Sequence, residues 1–437
     1  MNWKTSILFL LSFATSGSLV AQEDLSLQQI ISSALQQNFD IAIANNNTTA
    51  ASNQATKAQA GYYPSVNLNG NANYSINNTK LKFGGGFPDA EVDGAQNTNL
   101  GANIGFNYII FNGFGRVHTY QNLMGTQRLN EVQAKVVAEN LVLDIVNRYL
   151  DIQQSKLDLT AAKQNLAISE DRVQRVKLGN ENGATSKLEV LSAEVDLNND
   201  SLAIENLITA TEKQKAALNV LMGRDPKTSF NISTNIEVPA EISIADTERK
   251  ALQNNSSLLL AQVSQTLAAN QAAIANGGRM PTLSASGAYG YSTAQNGAGI
   301  VLSQSNLGFN GGLTLSMPVF NGNQLTTAMK NADIAEQNSA LELAKAKLTI
   351  RNQLYTAELD SKLITRTLKA QEENVTLAEL ALQRAQSNYS NGQVSFNDLR
   401  VAQLNVLIAK NSVNQAKINL VKLYYTVSRL GGGLLTN

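Results

Sequence analysis

The sequence predicts an α+β membrane protein in which a transmembrane β-barrel continues into very long α-helices. Three observations predict it. The order helix, strand, strand, long helix, helix appears twice within 437 residues. Inside each copy the hydrophobic period changes from about 3.6 residues to two and back again. The period-two runs are ten to thirteen residues long, which is the length a tilted strand needs to cross hydrocarbon.

The N-terminus comes first. Lys4 precedes an apolar run from Ile7 to Leu11 with Phe13, and small residues Ala14 to Ser18 follow. This pattern reads as an export signal over residues 1–21, cleaved near Ala21, with the mature chain starting at about Gln22. The run is too short to span a bilayer as a helix, and no later segment supplies eighteen or so apolar residues. There is no cysteine, so disulfides, thiolate metal sites and a lipid anchor on an N-terminal cysteine are excluded. Lysines plus arginines balance aspartates plus glutamates at 34 each. A neutral chain has no basic face for phosphates, and no nucleic-acid partner is expected. Charged residues are 16% of the chain, below the usual quarter, and Ala, Asn, Gln, Leu and Ser dominate. Long helices in close contact, wetted by amides, suit that mixture.

The duplication is ordered. Ala34-Leu35-Gln36-Gln37-Asn38 returns as Ala251-Leu252-Gln253-Asn254-Asn255, and Tyr63-Pro64-Ser65 as Met280-Pro281-Thr282, both 217 positions later. Phe111-Asn112-Gly113 returns as Phe320-Asn321-Gly322, and Arg175–Gly183 as Arg384–Gly392, both 209 positions later. The difference of eight falls between Pro64 and Phe111 and predicts a longer loop in the first copy. The copies are set at 22–223 and 241–430, with a Pro-containing linker at 224–240 and a tail at 431–437.

Residues 26–60 read as helix, with Leu27, Ile30, Ile31, Ala34 and Leu35 on one face. Pro64 closes it, because the residue before proline avoids helical dihedrals. Strands are expected at about 65–77 and 98–110, and again at about 282–292 and 305–317. Val66, Leu68, Gly70, Ala72, Tyr74 and Ile76 alternate with Asn67, Asn69, Asn71, Asn73 and Ser75. Leu100, Ala102, Ile104, Phe106, Tyr108 and Ile110 alternate with Asn99, Gly101, Asn103, Gly105 and Asn107. An amide and glycine face with hardly a charge suits a water-filled lumen, and a soluble amphipathic hairpin pair is the alternative. The aromatics Tyr62, Tyr63, Phe106, Tyr108, Phe111, Tyr289, Tyr291, Phe309 and Phe320 read as belts toward the strand ends. Long helices follow at about 115–178 and 324–388, each turning at glycines into a return helix, 186–221 and 395–429. Rods of that length must lie against neighbours along their length.

Four strands cannot close a barrel, and an open sheet edge is not tolerated in lipid. The chain must assemble. Two copies give an eight-stranded barrel that side chains fill, whereas three give twelve strands and a wet interior. Twelve is preferred.

These features, with Pro64 and Pro281 opening strands and the turns Lys177-Leu178-Gly179 and Asn388-Tyr389-Ser390-Asn391-Gly392, resemble the TolC-like outer-membrane efflux protein family. The likeness covers essentially the whole mature chain. It implies a homotrimer with a 12-stranded barrel in the outer membrane and a long α-helical barrel in the periplasm. It also implies a periplasmic adaptor and an inner-membrane pump, proton-driven or ATP-driven, with the chain as a passive exit duct for small solutes. Type I protein or peptide secretion and a structural or adhesive trimer are the alternatives, and a secreted enzyme is the least favoured class.

No catalytic constellation, metal cluster or cofactor motif is expected. His118 is the sole histidine, and Gly84-Gly85-Gly86 lacks the lysine of a phosphate loop. That run reads as an extracellular loop with an acidic rim at Asp89, Glu91 and Asp93. Ser186 and Ser395 read as N-caps, with Glu189 and Asp398 three residues on, where a carboxylate favours the helix start. The resemblance implies that acidic side chains after these turns line the inner constriction, which makes Asp398 and then Glu189 the candidate selectivity residues. The best-known branch has a second aspartate three positions after the first, but Val401 stands here, with Arg400 beside it as a candidate ion-pairing lock. The turns are candidate adaptor contacts through Val176, Leu178, Gly183, Tyr389, Gly392 and Val394.

Overall fold

The computed structural model describes residues 23–86, 88–239 and 243–435, without the side chains of Glu23 and Ala245. The expected export segment lies outside them. In chain order the elements are β1 (Glu23–Asp24), α1 (Leu27–Gln37), α2 (Phe39–Gln54), β2 (Ser65–Leu81) and β3 (Ala90–Asn112). Then come α3 (Gly115–Glu181), α4 (Lys187–Leu221), β4 (Phe230–Asn231), α5 (Ile244–Asn254) and α6 (Ser256–Gly277). β5 (Thr282–Asn296), β6 (Ser303–Ser316), α7 (Gln324–Ser390) and α8 (Phe396–Leu430) complete the chain.

The duplication reaches the ends of the helices. Both limits of α7 lie 209 positions after those of α3, and both limits of α8 lie 209 after those of α4. The limits of α5 lie 217 after those of α1. Each of α3 and α7 has 67 residues, a rod of about 100 Å at about 1.5 Å per residue.

The helix expected over 26–60 is instead two helices, broken at Asn38. The backbone there is extended, and the side-chain amide donates to the Leu221 carbonyl at 3.0 Å, the last residue of α4. Asn255 breaks the second copy in the same way, donating to the Leu430 carbonyl at 3.0 Å at the end of α8. Each asparagine thus satisfies a helix-end carbonyl that lacks an intrahelical partner. Gly223 and Gly432 follow those ends at positive φ, +71° and +74°, pressed against the Gln37 and Asn254 carbonyls.

Two compact units are present. One comprises residues up to Phe39, Asn140–Ile242 and Thr356–Ser428. Its core includes Ile145, Ile152, Leu218, Met222, Phe230, Ile232 and Ile418, and β1 pairs in parallel with β4. The linker region therefore carries a short strand that periodicity did not reveal. Two residues are too few to show a period.

The other unit comprises Asp40–Glu139, Ser243–Tyr355 and the residues from Arg429 on. It holds a four-stranded antiparallel sheet in the order β2-β3-β5-β6. The first hairpin is longer than expected because its extra residues extend the ladder instead of the loop. β2 and β3 have 17 and 23 residues against 15 and 14 in β5 and β6. Glu91 and Asp93 consequently lie in β3, and Glu91 pairs with Lys80 at 2.7 Å on β2.

Candidate functional site: a two-faced sheet and two helical tips

The ladder aligns like with like. Val66 pairs with Phe106, Leu68 with Ile104 and Ala72 with Leu100. Ile104 continues to Tyr289, Tyr289 to Phe309, and Leu283 and Ala285 to Leu315 and Leu313. One face is therefore apolar across all four strands. The opposite face carries Asn67, Asn69, Asn71, Asn73, Asn99, Asn103, Asn107, Ser286 and Asn310, with Asn69 Nδ2 donating to Asn103 Oδ1 at 3.2 Å. A slip of one residue would interchange the faces, so the register is fixed wherever one face meets an apolar medium. The outer edges of β2 and β6 have no partner strand within the sheet. Their large apolar residues are bare: Leu68 is 78% exposed and Leu313 70%.

Two expectations about the strands are corrected. Ile110 has no partner on β5 and interrupts the regular alternation, because the β3–β5 register shifts between Ile109 and Phe111. Phe111 takes the place opposite Leu283. The carbonyls released by this bulge accept from Arg116, Ile109 at 2.9 Å and Ile110 also, and the guanidinium lies over the Tyr62 and Tyr108 rings. Tyr289 and Phe309 do not belong to a terminal belt; they pair with each other mid-strand. Space for large rings there comes from Gly287, where a Cβ would come within 2.5 Å of Phe106 and 3.2 Å of Phe309.

The tips repeat each other closely. Gly183 and Gly392 both have φ +71° with open space around them. The Ala184 amide donates to the Gly179 carbonyl at 2.7 Å, and the equivalent Gln393 amide to Asn388 at 2.9 Å. This six-residue closure ends a helix in a left-handed residue, which glycine adopts without a Cβ clash. Past each turn stands a reciprocal cap. The Ser186 amide donates to Glu189 Oε2 at 2.8 Å and the Glu189 amide to Ser186 Oγ at 3.2 Å. The Ser395 amide donates to Asp398 Oδ2 at 2.9 Å and the Asp398 amide to Ser395 Oγ at 3.3 Å. The Ser395 hydroxyl also donates to Asp398 Oδ2 at 2.7 Å, and this bond first, then the one from the Ser395 amide, holds the Asp398 carboxyl below its ordinary range. Asp398 and Glu189 remain exposed.

Arg400 points the other way. Its side chain is 11% exposed and grips Asp200 on α4 at 2.8 and 3.0 Å, with Asn165 at 2.6 Å and Ser169 at 3.2 Å on α3. One turn nearer the tip, Arg172 of α3 pairs with Asp196 of α4 and stacks 4.0 Å over the ring of Phe396, the first residue of α8. Phe396 in turn meets Tyr389 edge-on at 5.6 Å. Arg172, Asp196 and Asp200 were not singled out from sequence. The i,i+4 aspartates hint at a shared face, but Arg400, the partner of Asp200 on α8, is 200 residues away.

Among the apolar tip candidates, Leu178 is exposed, Tyr389 and Val394 are half-buried, and Val176 is corrected. Val176 is packed with Val173, Val190 and Ala193 between α3 and α4, so it offers no surface to a partner. Its position three residues after Val173 places it on the apolar face of its own hairpin. Among the described residues no group of three or more His, Cys, Asp or Glu is placed to hold a metal ion. No described helix is long and apolar enough to cross a membrane.

Residues 30–224 and 248–433 match the family described as outer membrane efflux protein, one segment per copy. The outer membrane protein TolC of Vibrio cholerae is 21% identical over 379 residues, covering 85% of this chain and 82% of the relative. The cation efflux system protein CusC of Escherichia coli O157:H7 is 22% identical over 419 residues, covering 94% and 86%. Among solved structures, a membrane protein from Pseudomonas aeruginosa superposes with a TM-score of 0.80 at 16% identity, covering 94% of this chain and 91% of that one.

Proposed function

The chain belongs to the outer membrane efflux protein family, and we propose from that premise that it acts as a homotrimer whose pooled strands form one twelve-stranded barrel. Membership makes it a passive outer-membrane exit duct of a tripartite transport system, with its helical part in the periplasm, and not an enzyme. The observation that carries the trimer is the open sheet: one apolar face, one amide face, and two edges without partner strands. Lipid accepts the first face, water the second, and nothing but closure accepts the edges.

The duplication supports how closure occurs. Inside the chain β3 pairs with β5, Phe106 opposite Gly287 and Ile104 opposite Tyr289. The equivalents of β3 and β5 are β6 and β2. Moving the pairing by the repeat offsets sets β6 against a neighbour's β2, with Leu315 opposite the neighbouring copy's Gly70 and Leu313 opposite its Ala72. The faces still match.

In this reading the cargo is small solutes. The amide-lined face is nearly uncharged and suits a conduit with little preference, and a relative that carries cation efflux in its name is compatible with it. Asp398 and Glu189 form carboxylate rings at the inner opening while capping their own helices, since a capping carboxylate can also face a lumen. Leu178, Gly183, Tyr389, Gly392 and Val394 form the surface that meets the periplasmic adaptor, which in turn meets the pump. Crosslinkers placed in cells at Gly183 and Gln393 test this. Capture of an adaptor encoded with a proton-driven pump supports solute efflux, and one paired with an ATP-driven exporter moves the reading to peptide or protein secretion. Capture of none, with adaptor present, overturns the assignment of the tips.

A further inference from the structure

A cavity of about 1090 Å³ lies in the first compact unit, away from the sheet and the tips. Tyr149, Gln153 and Lys156 wall it from one face of α3, at spacings of four and three residues. Val421, Tyr424 and Tyr425 wall it from one face of α8 in the same way. Residues 24–29 and linker residues 231–239 close the remaining sides. The linker is pinned to α3. Gln153 Nε2 donates to the Ser233 and Asn235 carbonyls at 2.9 and 3.0 Å. Lys156 Nζ donates to the Ile232 carbonyl at 2.8 Å and to Asn231 Oδ1.

The polar groups around this space fall into two sets. Lys156 is taken up by the linker, and Asp24 accepts from Asn231 Nδ2 at 2.8 Å. Tyr149, Tyr424, Tyr425 and Glu237 differ: among the described residues their side chains have no hydrogen-bond or ion-pair partner. Tyr149 is only 6% exposed, and a tyrosine so deeply buried ordinarily gives its hydroxyl a partner. Burial, and then the Glu237 charge, push the Tyr149 phenol upward. Burial, then Tyr424, then the same carboxylate act on Tyr425. Glu237 therefore stands near both phenols, and the rings of Tyr424 and Tyr425 meet edge-on at 5.5 Å. The duplication does not call for these side chains. At the positions 209 away stand Glu358, Lys215 and Ala216, so the repeated helix packing is made without the tyrosines.

Phenol oxygens free to accept, beside a carboxylate that only accepts, suit a positively charged ligand that donates several hydrogen bonds. A primary ammonium carries three such donors, and a quaternary ammonium carries none. The cavity is at the upper end of small-molecule sites, which leaves room for a carbon chain behind the head group. We infer that this cavity binds a small organic molecule through a primary ammonium group, with Glu237 as counter-charge and the Tyr149, Tyr424 and Tyr425 hydroxyls as acceptors. The site lies within one chain and does not rest on the trimer reading.

Butylammonium chloride titrated into the purified full chain in detergent tests this by calorimetry, with sodium chloride as the blank. Saturable binding at one site per chain is expected. Glu237→Gln should weaken it at least about tenfold, the worth of one charged hydrogen bond. The thermal midpoint should not move, because Glu237 is exposed. Tyr149→Phe keeps the ring, loses the hydroxyl and should weaken binding severalfold. Tetramethylammonium, which has no donor, should bind at least about tenfold more weakly than butylammonium. Full affinity in either variant, equal affinity for the two cations, or heat that does not saturate overturns the proposal.

Discussion

At the residue scale the two tip residues two positions apart on α8 have opposite environments. Asp398 is exposed and held ionised by its own cap, whereas Arg400 is enclosed by Asp200, Asn165 and Ser169. Asp398→Asn should weaken the preference for cations in planar bilayers, and unchanged reversal potentials would count against the ring. Because the Asp398 carboxyl titrates below its ordinary range, that preference should survive acidification to about pH 4, where a free aspartate is half protonated. Arg400→Ala leaves a largely buried Asp200 carboxylate without its cation and should cost about 3 kcal/mol, read as a lowered thermal midpoint. Glu139 titrates upward, chiefly because burial disfavours its charged form. The folded chain therefore binds that proton more readily than the unfolded one, and stability from this group is lost as pH rises through the carboxylate range into the raised folded value. Glu139→Gln should flatten that fall, and identical midpoint-against-pH curves for the two proteins would refute it. Ser186, Ser395, Glu189 and Asp398 were legible as caps because an N-cap and its reciprocal acid lie within four residues. The partners of Arg172 and Arg400 were not: Asp196 stands 24 residues from Arg172 and Asp200 stands 200 from Arg400, each on another helix, and neither separation leaves a local pattern.

At the element scale, alternation identified the strands, while the ladder decided their length and parity. Bulges such as the one at Ile109–Phe111 are invisible to a count of two. The lipid and lumen faces respond oppositely to charge. Leu313→Arg should destabilise insertion into phospholipid vesicles by about 2–4 kcal/mol, whereas Asn310→Arg, on the amide face of the same strand, should fold normally and alter conductance. Equal effects at both positions would mean that the faces are misassigned. The break of the first helix at Asn38 is another element-scale decision: local sequence favours one helix, and a distant helix-end carbonyl wins the asparagine. Asn38→Ala should lower stability by about 1 kcal/mol, the cost of leaving a part-buried carbonyl without its donor.

At the scale of the whole molecule, the single chain is an incomplete object. Its sheet has two open edges. Native mass spectrometry in detergent should find three chains, and two or four would overturn the twelve-strand reading. The duplication, the strand and rod order, the caps and the two-faced character of the strands could all be read from residue order. Each depends on periodicity or on contacts within a few residues, and both are written along the chain. The register that aligns four apolar faces, the arginine ties and the burial of Val176 depended on the fold. They join residues on separate elements, and such pairings are selected by packing and by the cost of an unpaired polar group, which no local pattern encodes.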